Sequence, residues 1–215
     1  MIPFSRYMIM VRMHSSILNP SPRMKQNNIS PECNVDTNLV RFIIGGHAKH
    51  KSSCNEVVKA VNNTDEFAIG IIDDDKRRAT MDGGFVEYKQ PYDVVANIHI
   101  KMFIHNDRKR FIFTVKPAMD KLIYDAASAM SVNLTEFDLG SSFEDFKKVT
   151  KSIQAGSDPR LRKLFPIISD YPEIQRFRNT LRYLMFKQYG ADVSVVKGFF
   201  DGRFSSLDLQ GFFEN

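Results

Sequence analysis

The segment Phe67 to Ile72, FAIGII, runs directly into three aspartates, Asp73, Asp74 and Asp75, and then into Lys76, Arg77 and Arg78. A short run that is apolar on both side-chain faces suits a strand buried on both sides, as in a parallel sheet covered by helices. The chain should therefore be organised around this strand. In such sheets ligands gather beyond the C-terminal strand ends, where these aspartates stand. Residues two apart in extended backbone share a face, so Asp73 and Asp75 can converge while Asp74 points away. Converging carboxylates repel unless positive charge lies between them, and a hard divalent cation is the usual solution. A solvated acidic turn closing the strand is the rival reading.

The flanking sequence supplies the rest of an α/β unit. Asp36 or Thr37 can cap a helix carrying Leu39, Val40, Phe42, Ile43 and Ile44, which Gly45 and Gly46 stop. A second helix fits Ser52 or Ser53 through Val61, and the apolar strand follows at once. This is the return limb of a βαβ unit, whose first strand should precede Glu32 although Met24 to Glu32 is polar and holds Pro31. Downstream, strands are expected at Phe85 to Lys89, Val94 to Phe103 and Phe111 to Val115, and a helix at Ala118 to Met130. Helices are then expected at Phe143 to Thr150, Arg160 to Ile168 and Pro172 to Tyr189, with a last strand candidate at Val193 to Phe199. Tyr7 to Met13 reads as an edge strand or short helix. Together these elements imply a three-layer α/β fold: a mostly parallel central sheet of four to six strands, Phe67 to Ile72 at its centre, and a helical C-terminal part.

Size and composition narrow the classes. The 215 residues suit one domain spanning 1–215, and 43% apolar with 26% charged residues describes a folded chain rather than a disordered one. No run approaches the roughly 20 apolar residues of a membrane span. Tyr7 to Met13 resembles a secretory signal only faintly, and cytoplasmic residence is expected. Cys33 and Cys54 form no CxxC and read as free thiols in a reducing compartment. The formal charge of +5 is compatible with nucleic acid without demonstrating it. The basic residues gather at Lys76 to Arg78, at Arg108, Lys109 and Arg110, at Lys147, Lys148 and Lys151, and at Arg160 to Lys163. These clusters suit a phosphodiester substrate beside an acidic site and equally suit solvated loop ends.

The βαβ crossover would bring Glu32, at the head of the intervening helix, to the edge of the sheet that carries Asp73 and Asp75. The order of glutamate, helix, hydrophobic strand and Asp-x-Asp over roughly residues 24 to 125 resembles the Toprim domain of topoisomerases, bacterial primases, recombination-repair proteins and nucleases of the overcoming-lysogenization-defect type. Cys33 stands where that family usually has glycine, and the span from Gly45 to Ser52 leaves room for only an abbreviated second strand. The resemblance implies a Rossmann-like core, and the helical part read at about 134 to 190 is expected to pack on it. It also implies Mg²⁺, or Mn²⁺, on Glu32, Asp73 and Asp75, with Asp36 as a further acidic ligand. The activity implied is metal-dependent phosphodiester hydrolysis, in which Lys76, Arg77 or Lys151 can lie near the developing charge. Arg77, Arg78, Arg108, Lys109, Arg110 and Lys151 are the candidate nucleic-acid contacts. DNA is expected before RNA, an ATPase is a candidate partner, and DNA repair or phage defence are the implied settings.

Three other readings compete. A non-catalytic module of the same fold would use its basic clusters to bind nucleic acid or protein. His47, His50, Cys54 and Cys33 offer soft ligands for zinc, although their spacing fits no compact zinc module. A haloacid-dehalogenase-like phosphatase would use Asp73 and Asp75 as nucleophile and acid, but that family wants Thr or Val where Lys76 follows.

Overall fold

The computed structural model describes residues 28–74 and 80–214, as an α/β fold with one five-stranded sheet. In chain order its regular elements are β1 (Ile29–Pro31), α1 (Asn34–Ile44), α2 (Cys54–Asn62), β2 (Ala68–Asp73), β3 (Phe85–Glu87), β4 (Ile100–His105) and β5 (Arg110–Val115). Six helices follow: α3 (Met119–Ala129), α4 (Phe143–Thr150), α5 (Pro159–Ile168), α6 (Pro172–Lys187), α7 (Val193–Asp201) and α8 (Ser206–Glu214). The strand order is β1-β2-β5-β4-β3. The β1–β2 and β2–β5 pairs are parallel, whereas β5–β4 and β4–β3 are antiparallel. The sheet is thus mixed, and β5 rather than β2 occupies its middle. The Tyr7 to Met13 segment lies outside the described residues.

The apolar run of β2 is buried on both sides, and its alternation assigns each side a layer. Ile69 and Ile71 join Ile29, Phe111, Phe113, Leu39, Ile43, Leu122 and Phe177 in the larger core. Ala68 and Ile72 face the other way, onto Val57, Val58 and Val61 of α2. Gly70 lies between them because α2 comes so close: a Cβ there would sit 2.9 Å from Val57 Cγ1 and 3.2 Å from Val61 Cγ2. Helices therefore cover both faces, α2 on one and α1, α3 and the C-terminal helices on the other.

The first strand lies where the βαβ reading requires it, as β1 running parallel to β2 with Ile29 opposite Ile69. Its proline is tolerable because β1 is the edge strand among the described residues, where no further strand needs that residue's missing N–H. The outer carbonyls are used instead: Lys49 N–H donates to Ile29 O and Lys51 N–H to Pro31 O, both at 2.9 Å. The span after Gly46 is thus a rudimentary extended segment along the sheet edge.

Two further expectations need correction. The strand beginning at Val94 starts only at Ile100. Ahead of it, Asn97 N–H donates to Gln90 Oε1 and both His99 and Ile100 N–H donate to Glu173 Oε1, so side chains take up these amides. Val193 to Phe199 belongs to helix α7 instead of a strand. Asp192 caps it by accepting from Ser194 N–H, Gly202 ends it at φ 77°, and Val196, Phe199 and Phe200 recur at helical spacing on its buried side. Among the described residues, no helix is long and apolar enough to cross a membrane.

Candidate functional site

At the C-terminal edge of the parallel strands, residues from five places in the chain line one cleft of about 300 Å³. Glu32 and Cys33 come from the turn after β1, Asp73 from the last position of β2, Asp120 from the first turn of α3, and Thr150 and Lys151 from the end of α4. His50 and Ser52, from the segment that runs along β1, complete one wall.

Backbone geometry explains the convergence. Parallel pairing sets Pro31 beside Ile71 and Asp73 beside Val115, so the residues that leave these strands emerge at one edge. Glu32 is tied there twice over: its N–H donates to Ile71 O at 2.9 Å, and its Oε2 accepts from Asp73 N–H at 3.0 Å. Helix α3 begins at Ala118, which has no side-chain acceptor for the free amides of its first turn. Asp73 supplies one across the sheet edge, its Oδ1 accepting from Met119 N–H at 3.0 Å. Helix α1 is anchored similarly, because the fully buried Asp36 carboxylate accepts from Cys33 N–H at 3.3 Å and from Cys33 Sγ–H at 2.6 Å. Thr37 Oγ1 donates to Cys33 O, and lies 3.3 Å from His50 Nδ1.

These contacts leave much negative charge in a confined space. Burial, followed by the field of Asp36 and then of Glu32 and Asp120, pushes the Asp73 carboxyl up to about 8, against the pull of Met119 N–H. Burial likewise raises Asp36 to about 6, opposed by its hydrogen bonds to Cys33 and reinforced by Glu32 and Asp120. The Cys33 thiol is pushed up, first by burial and then by Asp36 and Asp73. Asp120 is only 5% exposed, and among the described residues its carboxylate has neither a hydrogen bond nor an ion pair. One ligand atom each from Cys33, Asp36 and Asp73 lies within 4.8 Å of the others.

Of the residues singled out in the sequence, Glu32, Asp36, Asp73 and Lys151 are brought to this edge, whereas Asp75, Lys76, Arg77 and Arg78 lie outside the described residues. Asp74 is placed by its N–H, which donates to Val115 O. Arg108, Lys109 and Arg110 stand at the β4–β5 turn, at the other end of the strands, roughly 17 Å from the cleft at about 3.3 Å per residue. Arg110 is buried and occupied there: it donates to Asp107 Oδ2 at 2.7 Å and to Asn62 O at 2.9 Å, closing the C-terminus of α2. Arg108 lines a larger groove of about 880 Å³ against β3 and β4, where Lys89 and Lys197 are mixed with Glu87 and Asp192. His47 and Cys54 do not join Cys33 and His50: among the described residues, the grouping of ligand atoms is Cys33, Asp36 and Asp73.

Asp120 is the functional candidate that sequence reasoning missed. Its signal was present: an acidic residue in the first turn of a helix that directly follows a strand parallel to β2. Asp36 sits deeper than an exposed ligand would, since α1 begins at Asn34 and takes it into its first turn.

Comparison with known proteins adds no relative: no family model matches the chain, and no curated protein or solved structure does.

Proposed function

We propose that the chain is a metal-dependent phosphodiesterase, a nuclease of Toprim-like type, with its reaction centre in the cleft between β1, β2 and α3. The observation that carries this reading is the meeting of Glu32, Asp36, Asp73 and Asp120 at one strand edge, where burial first and then the neighbouring carboxylates favour protonation of Asp36 and Asp73. Acidic turns do not ordinarily bury carboxylates against each other, because each loses hydration and gains repulsion. A divalent cation removes both penalties. The donor set fits one: Glu32 and Asp73 offer oxygen at the rim, Asp36 lies behind them, and Asp120 contributes a carboxylate with no partner of its own.

Bound Mg²⁺ or Mn²⁺ would supply Lewis-acid polarisation of a phosphodiester oxygen and a more acidic water. The residues do the rest. Glu32 and Asp73 are oriented by backbone amides, and this fixes the position of their carboxylates against the sheet edge. Lys151, on the rim at the end of α4, places a positive charge where a phosphate enters, and among the described residues no carboxylate ties up its ammonium. Asp120 lines the cleft and adds to the negative potential there. By resemblance, the substrate is nucleic acid, with DNA before RNA, and an ATPase is the partner class to seek.

Cleavage assays on single- and double-stranded DNA and RNA, with Mg²⁺ or Mn²⁺, test the reading. The parent chain is expected to cut one of these substrates, and Asp73→Asn and Glu32→Gln are each expected to lower the rate at least about 100-fold. Asn at 73 keeps an acceptor for Met119 N–H, which separates lost chemistry from lost fold. Equal cleavage by all three chains, or none by the parent with any substrate and cation, would sink the proposal.

A further inference from the structure

We propose that the same cleft holds a thiophilic divalent cation of the zinc class on Cys33 Sγ, Asp36 and Asp73, with Asp120 as the unpaired carboxylate facing it. The inference rests on the reading of the cleft as a cation site, and it is independent of whether a phosphodiester is cut there.

The ligand atoms are of mixed kind. Cys33 Sγ, one Asp36 oxygen and one Asp73 oxygen fall within 4.8 Å of one another. Neighbouring ligands on a tetrahedral zinc, with bonds of about 2.0 to 2.3 Å, are separated by roughly 3.5 Å, so modest side-chain rotation closes the set. A magnesium ion asks for octahedral oxygen and retained water, and a sulfur donor in its shell is a poor substitute. Sulfur with carboxylate oxygen is instead a normal zinc donor set.

A second observation points independently to a ligand. Asp120 is 5% exposed and lines the cleft, and among the described residues it neither accepts a hydrogen bond nor meets a cation. A buried carboxylate left in that state is costly unless something positive shares its space. His50 also lines the cleft, its Nδ1 near Thr37 Oγ1, and is placed to bound the site from the β1 side.

Binding exchanges partners without any redox change. In the absence of metal the Cys33 thiol donates its hydrogen to Asp36 Oδ1. When the cation enters, the S–H bond breaks, a sulfur–metal bond forms, and the proton leaves to solvent or buffer. Asp36 is then free to turn its oxygen to the ion.

Co²⁺ serves as the spectroscopic probe, because a thiolate ligand gives it an intense near-ultraviolet charge-transfer band that oxygen ligands do not. The reduced full chain, freed of metal, is expected to develop this band to saturation. Zn²⁺ should abolish it at a single equivalent, while Mg²⁺ in about 100-fold excess should leave most of it. Cys33→Ser keeps a hydrogen-bond donor to Asp36 and should remain folded by circular dichroism, yet lose the band. Its Co²⁺ affinity should fall by more than the roughly 10- to 100-fold typical of outer-shell losses. Cys54→Ser should keep the band, and Asp73→Asn should weaken binding. A band that survives in Cys33→Ser or vanishes in Cys54→Ser would overturn the assignment. So would Co²⁺ binding without a band, or equal displacement by Mg²⁺. If Mg²⁺ binds by calorimetry and no Co²⁺–thiolate band forms, this inference fails while the proposed function stands; if no cation binds, both fail.

Discussion

Asp73 has two duties that conflict. Its Oδ1 accepts from Met119 N–H and so holds the start of α3, while its carboxyl group faces Asp36, Glu32 and Asp120. The conflict has a pH signature. Burial, with the neighbouring carboxylates, pushes the Asp73 carboxyl up to about 8 and Asp36 up to about 6, both above the usual 3.8. Between pH about 4 and about 8 the unfolded chain therefore binds fewer protons than the folded one, and stability falls as pH rises through this window. Asp73→Asn removes the larger share of that loss. A tenfold change in proton affinity corresponds to about 1.4 kcal/mol, and water in the cleft reduces the effect, so the variant should be more stable than the parent at pH 8 by about 1–3 kcal/mol. The difference should shrink toward pH 4; urea denaturation at the two pH values checks both size and direction. Why Asp73 was visible in sequence and Asp120 was not follows from the same physics. A strand end that must be polar advertises itself against FAIGII, whereas an acidic residue in a helix's first turn is common for dipole reasons alone. Only the pairing of β5 with β2 gives Asp120 a different meaning.

Among the elements, α2 packs closely on β2, glycine against valine. Adding a methyl group at Gly70 would press on Val57 and Val61, so Gly70→Ala should destabilise by about 1–3 kcal/mol, and Val57→Ala in the same chain should recover part of it. Chemical denaturation of the two variants and their combination measures this. The other end of α2 depends on Arg110. Arg110→Met leaves Asp107 Oδ2 and the Asn62 carbonyl without the guanidinium donor and should cost about 2–3 kcal/mol of stability, with cation binding in the remote cleft unchanged. The helix and strand periods around β2 could be read directly, since local spacing decides which face of an element is apolar. The ends of Val94–Phe103 and the nature of Val193–Phe199 could not. The first depends on Glu173, far along the chain, taking up two amides, and the second on a cap at Asp192 that competes with a β-branched composition.

At the scale of the molecule, strand direction separates the acidic cleft from the turn that carries Arg108 to Arg110. The parallel strands deliver acidic groups to one edge, while the β4–β5 turn carries Arg108, Lys109 and Arg110 to the other. Among the described residues, Arg108 to Arg110 therefore stand at the opposite end of the strands from Lys151 and do not share one basic face with it. Among the described residues, the Lys or Arg side chain that lines the acidic cleft is Lys151. Lys151→Ala should weaken binding to a nucleic acid and lower the salt dependence of log K by about 1, whereas Lys109→Ala should leave that slope unchanged. Fluorescence anisotropy across a salt series separates the two. The most direct test of the cleft itself is a calorimetric titration of the metal-free chain with Mn²⁺ at neutral pH, repeated with Asp73→Asn, Asp120→Asn and Arg110→Met. Saturable binding by the parent and by Arg110→Met, lost or weakened at least about 10-fold in the two aspartate variants while both remain folded, is the expected result. Equal binding by all four chains, or none by the parent, would contradict a cation site at this strand edge.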